Sequence, residues 1–188
     1  MSNQNTNSPR NFLYPLFFLV IGILIGIAGT LLFTQLFPSL SPVSPAVIVT
    51  TIFSPEEGME VVDFIGSATT TLDIEVYTFS SEDALNAVLS AHERGVAVRV
   101  IMEKDIASTT NQKTFDKILA AGIPIRWASN EFTLTHSKFI IVDGKRVLVG
   151  SHNLSKNALT KNREASVIIT GPSVQDFINI FENDWSLK

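Results

Sequence analysis

Residues 134–153 read LTHSKFIIVDGKRVLVGSHN, and this stretch decides the fold. The run Phe139–Val142 is apolar and rich in β-branched side chains, which is typical of a strand. Asp143-Gly144 is a strong signal for a two-residue hairpin turn, and Arg146–Val149 is the returning strand. The predicted hairpin therefore brings the segment before its first strand close to the segment after its second strand.

These two segments carry side chains of complementary chemistry. They supply the imidazole of His136, the ammonium of Lys138, the hydroxyl of Ser151 and the carboxamide of Asn153. The set combines a nucleophile or acid with donors suited to phosphate oxygens. A carboxylate follows at Glu164, and it would accept a hydrogen bond from the other imidazole nitrogen and fix its tautomer.

The spacing H-x-K-x-x-x-x-D, followed by G-S-x-N and a later Glu, resembles the signature of the phospholipase D superfamily. Six positions of this signature are present in order: His136, Lys138, Asp143, Ser151, Asn153 and Glu164. Segments 72–80 and 91–101 look like the first strand, the helix and the second strand of the short, single-motif members of that family. The resemblance covers roughly residues 47–188.

The resemblance implies a metal-independent phosphodiesterase without a cofactor, in which His136 attacks phosphorus and forms a phosphohistidine. Glu164 would orient His136. The side chains that would bind the substrate phosphate are Lys138, Ser151 and Asn153. Asp143 is predicted as a catalytic member of the motif, but a second interpretation is open, because an Asp-Gly turn itself requires Asp or Asn at this position.

A single histidine cannot be the nucleophile and the leaving-group acid in the same step. The other two histidines, His92 and His152, do not repeat the motif. The simplest solution is a homodimer in which the two copies of His136 meet on a two-fold axis. The resemblance to single-motif members, which pair in this way, implies the same arrangement.

Three functions compete. An endonuclease acting on DNA or RNA is the leading prediction, because short single-motif chains resemble the endonucleases of the family. A phospholipase D acting on membrane phospholipids is the alternative, since a membrane anchor would bring lipid head groups near the site. A non-catalytic scaffold that binds nucleic acid or anionic lipid is the third possibility, and the intact signature argues against it.

Composition adds one local signal. The 188-residue chain has a net charge of −4, which gives no whole-chain sign of nucleic-acid binding, and no cysteine, which excludes disulfides. Between residues 136 and 164 basic residues outnumber acidic ones. This segment has two acids and six bases, and the bases are Lys138, Lys145, Arg146, Lys156, Lys161 and Arg163. A locally positive site in an acidic protein suits an anionic substrate.

The N-terminal part predicts a membrane anchor. Residues 1–11 are polar, and segment 12–37 is predicted to be a single transmembrane signal anchor. Its 22 uncharged residues from Leu16 to Phe37 would span about 33 Å as a helix. Arg10 precedes the span, which favours the N-terminus inside and the domain on the extracytoplasmic side. Secretion after signal-peptide cleavage is the alternative.

Residues 38–46 are predicted to be a Pro/Ser-rich linker, and residues 47–188 a phospholipase D-like domain. A capping box at Ser54 predicts the first helix of that domain. Further helices are predicted over 82–94, over 111–121 and after Ser173. The predicted strands are 46–53, 72–77, 96–102, 123–127, 139–142, 146–149 and 165–170. This order predicts an α/β fold, a mixed β-sheet flanked by helices on both faces.

Overall fold

A computed structural model describes residues 10–37, 46–104 and 109–187. The chain divides into two compact units, Met1–Ser44 and Pro45–Lys188. The predicted linker falls on residues 38–45, outside the described residues, except for its last position. Its extended conformation therefore stays a prediction.

The described part of the first unit is a single helix, α1 (Arg10–Leu36). Its segment Tyr14–Leu36 is a 23-residue candidate membrane span with a mean hydropathy of 2.8 and no buried side chains. At about 1.5 Å per residue, this segment is roughly 34 Å long and exceeds a hydrocarbon core of about 30 Å. By length and composition, α1 is suited to anchor the chain in a membrane.

The second unit is built on one mixed, seven-stranded sheet. Its strands are β1 (Ile48–Phe53), β2 (Thr71–Val76), β3 (Ala97–Met102), β4 (Ile125–Trp127), β5 (Lys138–Val142), β6 (Arg146–Gly150) and β7 (Ala165–Thr170). Their order across the sheet is β1-β7-β6-β5-β2-β3-β4. Strands β2, β3 and β4 run parallel to one another, and the other neighbours are antiparallel.

Helices cover both faces of this sheet, as predicted. They are α2 (Glu60–Gly66), α3 (Glu82–Glu93), α4 (Thr109–Ala120), α5 (Lys156–Thr160) and α6 (Val174–Ser186). The apolar side chains of strand β5 are divided between two cores, one on each face of the sheet. Ile140 and Val142 belong to the larger core, and Phe139 and Ile141 belong to a smaller core with Phe181 of α6. Side chains alternate between the two faces of a strand, so each face receives its own half of the apolar residues. The predicted fold class is confirmed.

The structure differs from the predicted helices in two places. The capping box at Ser54 predicts a helix start there, but α2 begins only at Glu60. The buried Ser54 hydroxyl instead donates to the carbonyl oxygen of Asn162 over 2.8 Å, which ties it to another part of the chain. Helix α5 was not predicted, because five residues are too few to show a helical periodicity. The hydroxyl of Ser155 caps it by accepting a hydrogen bond from Ala158 N.

The glycine before Ser151 allows the ends of β6 and β7 to lie close together. Gly150 pairs with Ser166, and the amide of Ser151 donates to the carbonyl oxygen of Ala165 over 2.9 Å. A Cβ atom at position 150 would overlap the backbone of both Ala165 and Ser166. Glycine is required here by the space between two strands, and this close approach positions the serine that follows.

We expect Gly150→Ala to destabilise the second unit by about 1–3 kcal/mol, because the new methyl group overlaps backbone atoms that cannot rotate away. Thermal unfolding of the full chain in detergent micelles measures the change. Gly66→Ala is the matched control, since a Cβ atom there has nothing within 4 Å and a helix-end glycine tolerates alanine. Equal melting temperatures for the two variants would show that the strand ends can separate at no cost.

Candidate functional site

The two ends of the β5–β6 hairpin form a polar pocket, as the sequence predicted. This pocket has a volume of about 440 Å³ and is lined by His136, Lys138, Gly150, Ser151, Asn153 and Glu164. Residues Phe139 and Val149 are directly opposite each other in the hairpin. This register sets the segment before β5 beside the segment after β6. Five of the six predicted site residues therefore line one pocket.

A second loop holds the segment that carries Asn153. The carbonyl oxygen of Leu154 accepts hydrogen bonds from the amides of Ser80 and Ser81, and its own amide donates to Thr78. The side-chain oxygen of Asn153 accepts a hydrogen bond from the Thr78 amide over 3.2 Å. Because its oxygen is occupied, the amide group of Asn153 is the part left to face the pocket as a donor.

Lys138 is buried to 8 % exposure, which is uncommon for a lysine. Its ammonium donates to the carbonyl oxygen of His136 over 2.5 Å and lies 5.0 Å from the centre of the Tyr77 ring. The imidazole of His136 contacts the same ring at 4.5 Å between centres. Burial lowers the pKa of Lys138, while the carboxylate of Glu164 acts in the opposite direction. Tyr77 thus contacts both the imidazole and the ammonium.

Glu164 lines the pocket but has partners other than the one predicted. Its carboxylate accepts hydrogen bonds from Ser151 over 2.6 Å and from Asn162 over 3.0 Å. Among the contacts of the described residues there is no hydrogen bond between Glu164 and the imidazole of His136. Burial raises the pKa of Glu164, but hydrogen bonds from Ser151 and Asn162, together with nearby cations, outweigh burial and keep it low. Glu164 is therefore an anion that orients Ser151.

Asp143 is separated from the other five predicted residues. It follows the last residue of β5, whereas Lys138 is the first, so the strand places them roughly 16 Å apart. Asp143 adopts a left-handed φ of 57° in the hairpin turn. Its carboxylate accepts hydrogen bonds from the backbone amides of Thr69, Thr70 and Thr71 and from two threonine hydroxyls. The structure therefore places Asp143 in the hairpin turn and outside the pocket, which agrees with the second interpretation of this residue.

An apolar groove of about 390 Å³ lies next to the polar pocket. Its apolar lining comes from Phe139, Val149, Phe177 and Ile180, and His136, Lys138 and Gly150 border both cavities. Phe177 and Ile180 belong to α6. The site therefore combines a polar half and an apolar half. The sequence showed the first through its motif, but it gave no sign that α6 would border the second.

Two further titratable residues near the site are buried. His152 is 3 % exposed, and its Nδ1 atom lies 2.7 Å from the hydroxyl of Ser166. Burial lowers the pKa of His152 and keeps its ring neutral. Glu75 is 2 % exposed and lies on the α6 side of the sheet, because its neighbours Ile74 and Val76 belong to the larger core on the other side. Neither residue lines the polar pocket.

The fold and the site together define a class: a small α/β unit with a histidine–lysine–asparagine pocket at the end of a central hairpin. Residues 61–185 match the family model described as "Cardiolipin synthase, PLD-like domain". The crystal structure of Nuc from Salmonella typhimurium, titled a phospholipase D family member, superposes with a TM-score of 0.70 at 32% sequence identity. That match covers 74% of this chain and 95% of Nuc. The chain belongs to the phospholipase D superfamily.

Other similar proteins include mitochondrial cardiolipin hydrolases and NucT. A mitochondrial cardiolipin hydrolase of Chlamydomonas reinhardtii is 37% identical over 126 residues, which are 66% of this chain and 56% of that protein. The human mitochondrial cardiolipin hydrolase is 35% identical over 121 residues, 63% of this chain and 47% of that protein. The chain spans about half the length of these curated relatives. NucT from Helicobacter pylori shares the fold, with a TM-score of 0.65 at 21% identity.

We expect Asp143→Asn to cost about 1–3 kcal/mol of stability at pH 7, because the turn loses a charged acceptor of several hydrogen bonds. Burial raises the pKa of Asp143, but the threonine amides and hydroxyls outweigh it and lower the pKa well below its ordinary value. The stabilisation is therefore present above pH 3.8, the ordinary value, and is lost as the pH falls further. Urea unfolding at pH 7 and pH 3 measures both effects.

The control for this comparison is Asp116→Asn, an exposed carboxylate on α4, which should change stability by less than about 0.5 kcal/mol. Asparagine tolerates the left-handed conformation, so the variant tests the hydrogen bonds and not the backbone. A destabilisation that stays the same at both pH values would contradict a charged acceptor at position 143.

Proposed function

We propose that the chain is a metal-independent phosphodiesterase that acts through a phosphohistidine intermediate. The observation that carries this proposal is the convergence of an imidazole, a buried ammonium, a hydroxyl and a carboxamide in one pocket. Phosphodiester hydrolysis needs a nucleophile, positive charge on the phosphoryl oxygens and an acid for the leaving group. His136 supplies the nucleophile, and Lys138 and Asn153 supply the stabilising charge and hydrogen bonds.

The proposed reaction has two steps. The imidazole of His136 attacks phosphorus, the bond to the leaving oxygen breaks, and that oxygen takes a proton from a second, protonated imidazole. The second imidazole, now neutral, then removes a proton from water. The water oxygen attacks phosphorus, the phosphorus–nitrogen bond breaks, and a phosphomonoester is released. In both steps Lys138 neutralises charge that develops on the phosphoryl oxygens.

A homodimer would supply the second imidazole. His152 is unsuited because it is buried and hydrogen-bonded to Ser166, and His92 lies on α3, outside the residues that line the pocket. We therefore propose that two copies of His136 share one site on a two-fold axis. Such an arrangement makes the interface isologous, so both chains contribute the same residues to the bound phosphate.

Nucleic acid is the substrate class that we propose first. The chain is similar over 95% of the length of Nuc, and its own single motif resembles that of the short endonucleases of the family. Lys156 and Lys161 are exposed cations close in sequence to the pocket, and a phosphate backbone would contact them. Phospholipid is the second candidate, because an apolar groove adjoins the pocket and several relatives carry the name cardiolipin hydrolase.

We further propose that α1 anchors the enzyme in a membrane, with residues 38–46 as a linker and 47–188 as the catalytic domain. Arg10 lies before the apolar segment, and no Lys or Arg follows until Arg94, which favours an internal N-terminus and an extracytoplasmic domain. Secretion after cleavage is the alternative. N-terminal sequencing of the mature protein distinguishes an anchored chain from a cleaved one.

The test of activity uses the full chain in detergent micelles with EDTA present. Single-stranded DNA and RNA form one set of substrates, and cardiolipin or phosphatidylcholine vesicles form the other. We expect nucleic-acid cleavage, and we expect His136→Ala to reduce it by more than about a thousandfold, because the covalent step loses its nucleophile. Head-group release without nucleic-acid cleavage would make the chain a phospholipase D. If the folded protein cleaves none of these substrates, the proposed phosphodiesterase activity is rejected.

The shared site predicts a mixing effect. When equal amounts of wild-type and His136→Ala chains exchange subunits, random pairing leaves about half of the wild-type chains in wild-type dimers, so activity per wild-type chain falls to about half. Mixing with His92→Ala chains is the control and should leave it unchanged. Sedimentation of the wild type checks the dimer. A monomer with full activity would refute the shared site.

A further inference from the structure

A carboxyl group is buried on the face of the sheet opposite the polar pocket. Glu75 lies in β2, and its exposure is 2 %. Its neighbours Ile74 and Val76 point into the larger core, so Glu75 points the other way, toward α6. A buried carboxylate is unfavourable unless it is paired or protonated. The position of Glu75 therefore needs a reason.

Glu75 contacts the residue between the predicted nucleophile and the predicted phosphate-binding lysine. The hydroxyl of Ser137 donates a very short hydrogen bond to Oε1 of Glu75. All three residues border the apolar groove, but only His136 and Lys138 also line the polar pocket, whereas the hydroxyl of Ser137 is directed to Glu75. The bond from Glu75 thus fixes the backbone of a tripeptide whose other two side chains line the site.

The same tripeptide is held from the pocket side as well. Tyr77, two residues after Glu75, contacts the imidazole of His136 at 4.5 Å and lies 5.0 Å below the ammonium of Lys138. Tyr77 lies just beyond the last residue of β2, so the end of β2 and the residue after it together contact all three residues of 136–138. Tyr77 contacts the two polar side chains, and Glu75 contacts the residue between them.

A second carboxyl group, Asp184 of α6, lies near enough to Glu75 for its negative charge to act on it. Oε2 of Glu75 has no donor among the described residues. Two ionised carboxylates are both acceptors, so a hydrogen bond joins them only when one carries a proton. Burial raises the pKa of Glu75 to about 7, and the charge of Asp184 acts in the same direction, whereas the bond from Ser137 opposes them.

Among the described residues, Asp176 of α6 also borders the groove on this face and is exposed, and the two arginines of the face have other partners. Arg99 of β3 binds Asp73 at 2.7 Å and Glu182 of α6 at 2.7 Å. Arg126 of β4 donates to the carbonyl oxygen of Trp185. One further acid lies toward the end of β3, Glu103, and it accepts a hydrogen bond from the amide of Thr135. The two arginines of this face are thus committed to other partners, and among the described residues neither of them neutralises Glu75.

We propose that Glu75 is a positioning residue for His136 and Lys138, acting through Ser137 and held in place by a proton that it shares with Asp184. In the protonated state Oε1 accepts from Ser137 and the carboxyl proton is donated to Asp184, so every group is satisfied. When Glu75 loses that proton, the two carboxylates repel each other. The hydrogen bond from Ser137 to Glu75 is then disturbed, and residues 136–138 are held less firmly in position. This role rests on the proposed phosphodiesterase activity.

Glu75→Gln tests the shared proton directly. The amide oxygen still accepts from Ser137, and the amide nitrogen donates to Asp184 without titrating. With the full chain in micelles and bis(4-nitrophenyl) phosphate as the probe, we expect kcat at pH 6.5 within about twofold of the wild type. We expect the ratio of variant to wild-type kcat to rise by roughly fivefold or more toward pH 8.5, because only the wild type loses its support. The ratio cancels titrations that both proteins share.

Two more variants separate positioning from stability. Glu75→Ala and Ser137→Ala remove the bond, and we expect kcat to fall by about tenfold to a hundredfold with KM changed by less than twofold. Glu93→Gln, an exposed carboxylate of α3, is the control and should leave the pH profile unchanged. Parallel pH profiles for Glu75→Gln and the wild type would overturn the proposal, as would full activity in Ser137→Ala.

A measurement that needs no catalytic turnover tests this proposal separately from the proposed function. In the His136→Ala background, which removes the imidazole ring next to these amides, the backbone amide NMR signals of Ser137 and Lys138 should shift with a midpoint near pH 7, the pKa of Glu75. Adding Glu75→Gln should abolish that shift. Amide signals that do not respond to pH would overturn the coupling. A pH response in a chain that hydrolyses no phosphodiester would reject the enzyme and support the coupling.

Discussion

The antiparallel register of the β5–β6 hairpin is the constraint on which the rest of the site depends. Phe139 opposite Val149 brings residues 136–138 beside residues 150–153, and β5 is fixed on its other side by β2. A slip of one residue would exchange the two faces of the hairpin and move the predicted nucleophile out of the pocket. The Asp143 carboxylate opposes such a slip, since it joins the hairpin turn to the threonines before β2.

The sheet divides the charged groups of the unit between two environments. On the pocket side, Lys138 lies near the carboxylate of Glu164, which hydrogen bonds hold in its ionised form. On the α6 side, Arg99 neutralises two acids, and the carboxyl of Glu75 is left beside Asp184. The central strands connect the two environments, because consecutive residues of β5 face opposite sides. The proposed role of Glu75 depends on this connection, since Ser137 is joined by single peptide units to His136 and Lys138.

In the proposed function, the polar pocket binds the part that nucleic acids and phospholipids share, a phosphodiester. Nuc, a phospholipase D family member, and proteins named cardiolipin hydrolase are both similar to this chain, which agrees with a site built around the phosphate. Discrimination must come from the surroundings of the pocket. One side of the entrance is the apolar groove bordered by α6, and exposed lysines such as Lys156 lie in the segment that follows the motif. Substrate choice would then reflect which of these surfaces the rest of the substrate contacts.

Local patterns in the sequence determined the hairpin, the apolar helix, the strand order along the chain and the membership of the polar pocket, because each depends on short-range periodicity or spacing. Position along the chain could not determine which side of a strand end meets which helix. Tertiary structure alone decided that Glu164 binds Ser151, that Asp143 lies at the far end of β5, and that Glu75 lies under Ser137. These contacts join residues that the sheet brings together from distant parts of the chain, and no local rule encodes their pairing.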